Sequence, residues 1–251
     1  MRMLLYDGSL DGLLTALSLA FAARGPVDIA EQDAWQPGLF DASEPVSTDP
    51  RAAVRMGRRI REQGSGRSFS HVVYAHMADT PDKARAILAY VRVLLRVGRS
   101  VDQHLAEPAV ATLLELSRKV GVEAHRLKGL VRFRSLANET LWAPIAPVHD
   151  VALPVARHFA GRMPRERWLI HDTRRRYGVF HEKGRLEAVD AAALPSADTE
   201  CHSNEALYAD LWRRYFDTIA IRERSNPGLQ RQLMPRRYWT YLTEMAPRRP
   251  A

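Results

Sequence analysis

Hydrophobic positions recur every three or four residues along much of the first half of the chain. A short apolar run at residues 3–6 leads through Asp7-Gly8-Ser9 into such a pattern from Leu10 to Phe21. This spacing predicts a buried strand and then an amphipathic helix capped by Ser9 or Asp11. Further helices are predicted over residues 51–62, 82–97 and 108–120, the last with a possible interruption at Gly121. Residues 33–50 are predicted to connect elements, and residues 69–75 fit a strand or the start of a helix.

From residue 130 onwards, apolar positions alternate with polar ones or form short continuous runs, as is typical of strands. Strands are predicted over residues 130–136, 140–145, 167–171, 177–182 and 185–189. Helices are predicted again over residues 150–162 and 203–223, with another opening at Asn226-Pro227. Runs of helices beside runs of strands predict an α+β fold. It has a helix-rich N-terminal half, a central antiparallel β-meander and C-terminal helices.

The composition narrows the class of protein. Hydrophobic residues make up 46% of the 251 positions and charged residues 26%, which is typical of a globular protein. No apolar run approaches the roughly 20 residues that span a bilayer, and an acid at Asp7 comes too early for the apolar core of a signal peptide. A single cysteine, Cys201, excludes an internal disulfide and a multi-cysteine metal or iron–sulfur site. We therefore expect a cytoplasmic protein that does not contact a membrane.

The positive charge is concentrated in the second half of the chain. Residues 1–117 contain 13 Lys and Arg against 14 Asp and Glu, a net charge of −1, whereas residues 118–251 contain 24 against 15, a net charge of +9. Only four of the 37 basic residues are lysine, which is typical of a GC-rich genome. Codon bias explains the excess of Arg over Lys but not the difference between the halves, so a surface that meets a polyanion is predicted. The alternative is a solvated basic face.

The first cluster of candidate functional residues runs from Glu123 to Arg134. Glu123 and His125 are candidate acid–base groups, and Lys128 stands where a helix dipole favours a cation. Arg132 and Arg134 are expected on one face of a strand, where they could bind a phosphate as a pair. A structural cluster of ion pairs is the alternative.

The second cluster is His171-Asp172 followed by Arg174, Arg175, Arg176 and Tyr177. Three consecutive arginines at a hairpin turn repel one another unless solvent or phosphate screens them. A loop that follows a DNA backbone, with Tyr177 stacking on a base, satisfies that requirement. His171 and Asp172 could act in acid–base catalysis, but neighbouring strand residues point to opposite faces.

The third cluster lies between Arg222 and Trp239. Arg231, Arg236 and Arg237 alternate with amide and aromatic side chains that include Trp239, a composition suited to phosphates and bases. The alternative is that the aromatic residues pack in the core and the arginines solvate its rim.

Cofactor and metal motifs are missing from the sequence. The nine histidines do not match zinc-finger or His-Glu-x-x-His spacing, and there is no phosphate loop, dinucleotide fingerprint or nucleophile elbow. Asp7 and Asp11 could hold a metal, but helix capping explains them better. We expect no cofactor and no metal.

Three stretches together resemble a bacterial family of unknown biochemical function labelled "probable DNA metabolism protein". They are Leu5-Tyr-Asp-Gly-Ser9 with Asp11-Gly12, His125-Arg-Leu-Lys-Gly-Leu-Val-Arg-Phe133 with His158-Phe-Ala160, and the ending from Trp212 through Met234-Pro-Arg-Arg-Tyr-Trp239. Leu10 and Leu130 stand where phenylalanine is as common in the family. The resemblance implies a partnership with a radical S-adenosylmethionine protein of DNA modification or repair. It also implies, in some proteins, fusion to a uracil-DNA glycosylase-like domain.

These observations lead to one prediction and two alternatives. The chain is predicted to be a DNA-binding accessory component of a bacterial repair or modification system. The alternatives are an enzyme that acts on nucleic acid, and a protein-binding adaptor that docks the radical S-adenosylmethionine partner. A strand–helix segment is expected at residues 1–80, the main family domain at residues 81–246 and a loose tail at residues 247–251. One continuous domain is the alternative organisation.

Overall fold

The computed structural model describes residues 2–37, 42–190, 192, 194–195 and 199–245, and in them confirms an α+β fold. The chain forms two compact units, residues 1–121 and residues 122–251. No helix in the described part of the chain is both long and apolar enough to cross a membrane.

The N-terminal unit has a small parallel sheet covered by helices. Its elements are β1 (Arg2–Tyr6), α1 (Leu10–Ala22), β2 (Val27–Glu31), β3 (Ala42–Pro45), α2 (Pro50–Gln63), α3 (Gly66–His76), α4 (Lys83–Val97) and the first part of α5 (Pro108–Leu130). The strand order is β2-β1-β3, and both pairs are parallel. Ser9 caps α1 as predicted, because its Oγ accepts the N–H of Gly12 at 2.9 Å. Fully buried side chains from three of these helices form the core with β1 (Leu13, Leu17, Ile60, Ile87 and Leu94).

Helix α5 does not stop at Gly121 but continues to Leu130. A single glycine costs a helix about 1 kcal/mol relative to alanine, and burial of Val120, Ala124 and Leu127 on both sides of it offsets that cost. The strand predicted over residues 130–136 is therefore wrong in its first part, and only Arg134–Ser135 pairs as a strand.

The C-terminal unit is built on a five-stranded sheet. Its elements are the end of α5, β4 (Arg134–Ser135), β5 (Leu141–Ile145), α6 (Ala152–Arg162), β6 (Trp168–Asp172), β7 (Tyr177–Glu182), β8 (Arg185–Asp190), α7 (Glu205–Ile219) and α8 (Pro227–Leu233). The order is β4-β5-β6-β7-β8, with β6–β8 forming the predicted antiparallel meander. The pair β5–β6 is parallel because α6 carries the chain back between them.

One face of this sheet packs on α6. Trp168, Ile170 and Val179 are buried there, and Phe133 contacts Phe159 edge-on at 5.1 Å between ring centroids. Because alternate residues of a strand point to opposite faces, this packing determines which side chains lie on the other face.

Candidate nucleic-acid interface

The turn between β6 and β7 holds the three consecutive arginines, and Asp172 fixes its conformation. The buried Asp172 carboxylate accepts the backbone N–H groups of Arg174 at 3.0 Å and Arg175 at 3.1 Å through Oδ1. Its Oδ2 lies 3.0 Å from Nη1 of Arg175. Burial raises the pKa of Asp172, although the hydrogen bonds and charge of Arg175 oppose that change. Asp172 therefore has a structural role in shaping this turn.

The guanidinium of Arg175 points inward and binds the loop that follows β5. It donates to the carbonyl oxygens of Pro147 at 3.4 Å, Val148 at 2.5 Å and His149 at 3.2 Å. Arg174 and Arg176, on either side of it, are exposed. The side chain of Arg175 therefore stabilises the fold, whereas those of Arg174 and Arg176 are exposed.

Glu123 binds the same loop from α5. The residue is only 3% exposed, and its carboxylate accepts the backbone N–H groups of Val148 at 3.0 Å and His149 at 2.7 Å. The hydroxyl of Tyr238 donates to it as well, and Nη2 of Arg237 lies 3.7 Å away. Glu123 thus anchors three segments of the C-terminal unit.

The structure keeps the other predicted acid–base residues apart from Glu123. His125 is exposed two residues further along α5. His171 and Asp172 are neighbours on β6 and point to opposite faces, as expected of a strand. In the described residues no contact joins any two of Glu123, His125 and His171. Nor does any group of three or more His, Cys, Asp or Glu there have the arrangement of a metal site.

Two further candidates for nucleic-acid binding have internal partners. Arg132 forms a two-pronged contact with Glu244, with Nη2 to Oε1 at 2.6 Å and Nε to Oε2 at 3.2 Å. Its guanidinium also lies 5.1 Å from the ring of Trp212. Tyr177 donates its hydroxyl to Asp150, and burial is the main cause of its raised pKa. Arg132 therefore does not form a phosphate-binding pair with Arg134, because it lies outside the strand and binds Glu244.

The closing segment combines packed aromatic rings with exposed cations. Tyr238 is buried, whereas Trp239 is partly exposed and donates Nε1–H to the carbonyl of Met234 at 2.9 Å. Arg236 is exposed and lies 5.7 Å from the Trp239 ring. Arg231 is exposed on α8, where its Nε donates to the carbonyl of Pro227. Lys128, near the end of α5, is partly exposed.

The sheet face opposite α6 carries a row of side chains that the sequence did not reveal. The pairing registers align Arg134 with Trp142, Trp142 with Leu169, Leu169 with Phe180 and Phe180 with Glu187. Paired residues point to the same side of a sheet, about 5 Å apart. We call this row, together with His171, the aromatic face.

Three aromatic side chains of the aromatic face are partly exposed: Trp142, His171 and Phe180. The Trp142 and His171 rings lie 6.2 Å apart at an interplanar angle of 31°. The Trp142 Nε1 and His171 Nδ1 atoms are buried and make no hydrogen bond within the described residues. Burial lowers the pKa of His171, with Asp172 acting in the opposite direction. Trp142 therefore presents a partly exposed ring beside Arg134, and Phe180 lies on the other side of the buried Leu169.

Comparison with known proteins assigns the chain to a family. The model of DUF4130, a domain of unknown function, matches residues 81–244. The chain belongs to the DUF4130 family. No curated protein matches it, and no solved structure matches it either.

The family match covers every residue of the candidate interface. It starts at Pro81, next to the predicted boundary after residue 80, whereas the compact units divide at Gly121. A DUF4130 domain therefore includes α4 and α5 as well as the whole five-stranded sheet.

Proposed function

We propose that this DUF4130 protein is a DNA-binding accessory component of a bacterial repair or modification system, and that it engages DNA through the aromatic face. The observation that carries the proposal is the row in which Arg134 lies beside Trp142 and, two strands further on, Phe180. Sheet faces that bind nucleic acid use the same combination, in which rings stack on bases and guanidinium groups bind phosphates.

The aromatic face suits a single strand better than a duplex. Its rings are only partly exposed, so they reach bases that are unstacked and splayed onto the sheet. Exposed or partly exposed cations outside the row extend the surface for the backbone: Lys128, Arg176, Arg231 and Arg236. Arg132, Arg175 and Arg237 are excluded from this proposal because Glu244, Asp172 and Glu123 lie beside their guanidinium groups.

In this proposal a partner protein carries out the reaction on DNA. The resemblance to the "probable DNA metabolism protein" family suggests a radical S-adenosylmethionine protein in that role, with the present chain holding the substrate strand. The buried Glu123 and Asp172 are hydrogen-bonded to backbone N–H groups and to neighbouring side chains, which favours a structural role over an acid–base role for both carboxylates.

Fluorescence anisotropy of a labelled oligothymidylate, titrated against salt, tests the proposal. Neutralising about six phosphates predicts a log–log slope near −4 on a single strand and near −5 on a duplex. Replacing Phe180 by leucine removes one stacking ring and is expected to weaken binding about tenfold, since stacking is worth about 1–3 kcal/mol per base. Tyr208→Leu removes an exposed ring from α7 and is the matched control.

Arginine variants test the phosphate contribution separately. Arg134→Gln is expected to weaken binding and reduce the salt slope by about 0.7 on a single strand. Arg118→Gln is its control, because Arg118 is exposed on α5 and pairs with Glu115. A flat salt response, or no binding of either single- or double-stranded DNA, would overturn the proposal.

A further inference from the structure

Helix α7 exposes a continuous apolar stripe. Leu207, Leu211, Tyr215 and Ile219 are 57%, 51%, 55% and 55% exposed, and no residue of the helix is buried. Their four-residue spacing keeps them on one side of the helix. A helix of a globular protein normally packs such a stripe against its core. Here most of the stripe has no packing partner among the described residues.

The stripe leads into an apolar groove between the end of α7 and α8. A 3₁₀ turn at Arg222–Arg224 connects the two helices, and Asn226 caps α8 by accepting the N–H of Leu229 at 3.0 Å. The groove has a volume of about 750 Å³. Its apolar walls are formed mainly by Phe216, Ile219, Ile221, Leu229 and Leu233. Leu229 and Leu233 are 50% and 59% exposed, which is typical of an interaction site rather than a core.

Side chains outside the stripe fix α7 to the end of the described chain. Trp212 donates Nε1–H to Glu244 at 2.9 Å, and Nε of Arg213 donates to the carbonyl of Thr243 at 3.1 Å. Glu244 is held in turn by Arg132. The helix is therefore oriented before any partner arrives, which lowers the entropic cost of binding to it.

The charge of the groove indicates which kind of partner it binds. Arg224 lines the groove and forms no ion pair with a described carboxylate. A second copy of this chain would bring a second Arg224 to a symmetric contact, where the two guanidinium groups would repel. A partner with acidic positions beside an apolar stripe complements both features.

We propose that the groove between α7 and α8 binds an amphipathic helix of a partner protein, apolar at three- and four-residue spacing and acidic at its flanks. This is the helix-in-groove mode of recognition. The inference goes beyond DNA binding, because it uses a different surface of the C-terminal unit and a different ligand chemistry.

A pair of synthetic helical peptides provides the probe. One has leucine at positions i, i+3, i+4 and i+7 with glutamate at the flanks, and the other has lysine in place of each glutamate. Fluorescence polarisation with the full chain is expected to show binding of the glutamate peptide at least about tenfold tighter than the lysine peptide. Leu229→Asp should weaken binding of the glutamate peptide about tenfold or more.

A matched variant separates the groove from general hydrophobicity. Leu105→Asp places the same charge at a leucine that is 63% exposed in the N-terminal unit, and it should leave peptide binding unchanged. Both leucines are exposed, so circular dichroism should show that both variants fold. The proposal is overturned if neither peptide binds, if both bind equally, or if Leu105→Asp weakens binding as much as Leu229→Asp. It is also overturned if sedimentation shows a dimer that Leu229→Asp dissociates, since a second copy would then occupy the groove.

Discussion

The buried carboxylate of Glu123 accepts a hydrogen bond from the hydroxyl of Tyr238, which lies 115 positions further along the chain. The same carboxylate accepts the N–H groups of Val148 and His149. Burial, followed by the hydrogen bond to Glu123, raises the pKa of Tyr238 to about 12. One side chain therefore connects α5, the loop after β5 and the closing Arg-Arg-Tyr-Trp segment.

Removing the hydroxyl should destabilise the protein without disturbing its packing. Tyr238→Phe leaves the buried Glu123 with one donor fewer, and we expect the free energy of unfolding to fall by about 1–3 kcal/mol. Urea denaturation measures this change. Tyr208→Phe, at an exposed position of α7, is expected to change it by less than about 0.5 kcal/mol. Equal effects of the two variants would contradict the anchoring role.

Glu123→Gln should cost more stability than Tyr238→Phe. An amide has one acceptor oxygen, so its NH₂ group would face either the backbone N–H groups or the Tyr238 hydroxyl. We expect a loss of about 2–4 kcal/mol, because a buried donor would be left without an acceptor and the Arg237 charge without its carboxylate. A variant that keeps its stability but loses a catalytic activity would instead favour an enzyme in which Glu123 reacts.

Substitution of two adjacent arginines in the β6–β7 turn should affect the stability of the protein to different extents. Arg175→Lys loses the planar fork that binds three carbonyl oxygens and Asp172, and we expect it to reduce the free energy of unfolding by about 2–4 kcal/mol. Arg176→Gln should change stability by less than about 0.5 kcal/mol, because Arg176 is exposed. It should weaken DNA binding under the proposed function. Urea denaturation and anisotropy, run on both variants, distinguish the two roles.

The sequence predicted those elements in which the apolar spacing agrees with residues that typically begin or end a helix. Helices α2 and α4 were expected over residues 51–62 and 82–97, and they lie at Pro50–Gln63 and Lys83–Val97. Strand β3 was not predicted because its four residues are all exposed and only pairing with β1 makes them a strand. The predicted helix over residues 203–223 is shorter, at Glu205–Ile219.

The candidate site was harder to predict, because long-range contacts determine it. Arg132 has its partner in Glu244, 112 positions away, and no local pattern signals that pair. Trp142 and Phe180 come into one row only through the registers of β5, β6 and β7, which depend on the parallel crossover through α6. Alternation within each strand showed which residues share a face, but not which strands are neighbours.

The imidazole of His76 is a partly buried titratable group at the end of α3. Its ring centroid lies 6.2 Å from that of Tyr6, and its Nδ1 atom makes no hydrogen bond with the described residues. Burial and, to a smaller extent, the charge of Lys83 lower the pKa of His76 to about 4, while Asp7 opposes the change. The folded protein therefore holds this ring neutral at a pH where an unfolded chain, with a pKa near 6.5, protonates it.

This difference predicts an acid sensitivity with a definite sign. Between pH 6.5 and 4 the unfolded chain binds a proton that the folded protein excludes, so the free energy of unfolding falls as the pH falls. From pH 7 to pH 5 the contribution of His76 is about 2 kcal/mol. His76→Phe keeps an aromatic ring but does not titrate. Its stability should therefore fall less over this range than that of the wild type, by about the same amount. Urea denaturation of both proteins at pH 7, 6 and 5 measures the difference, and parallel losses in the two would show that His76 titrates normally in the fold.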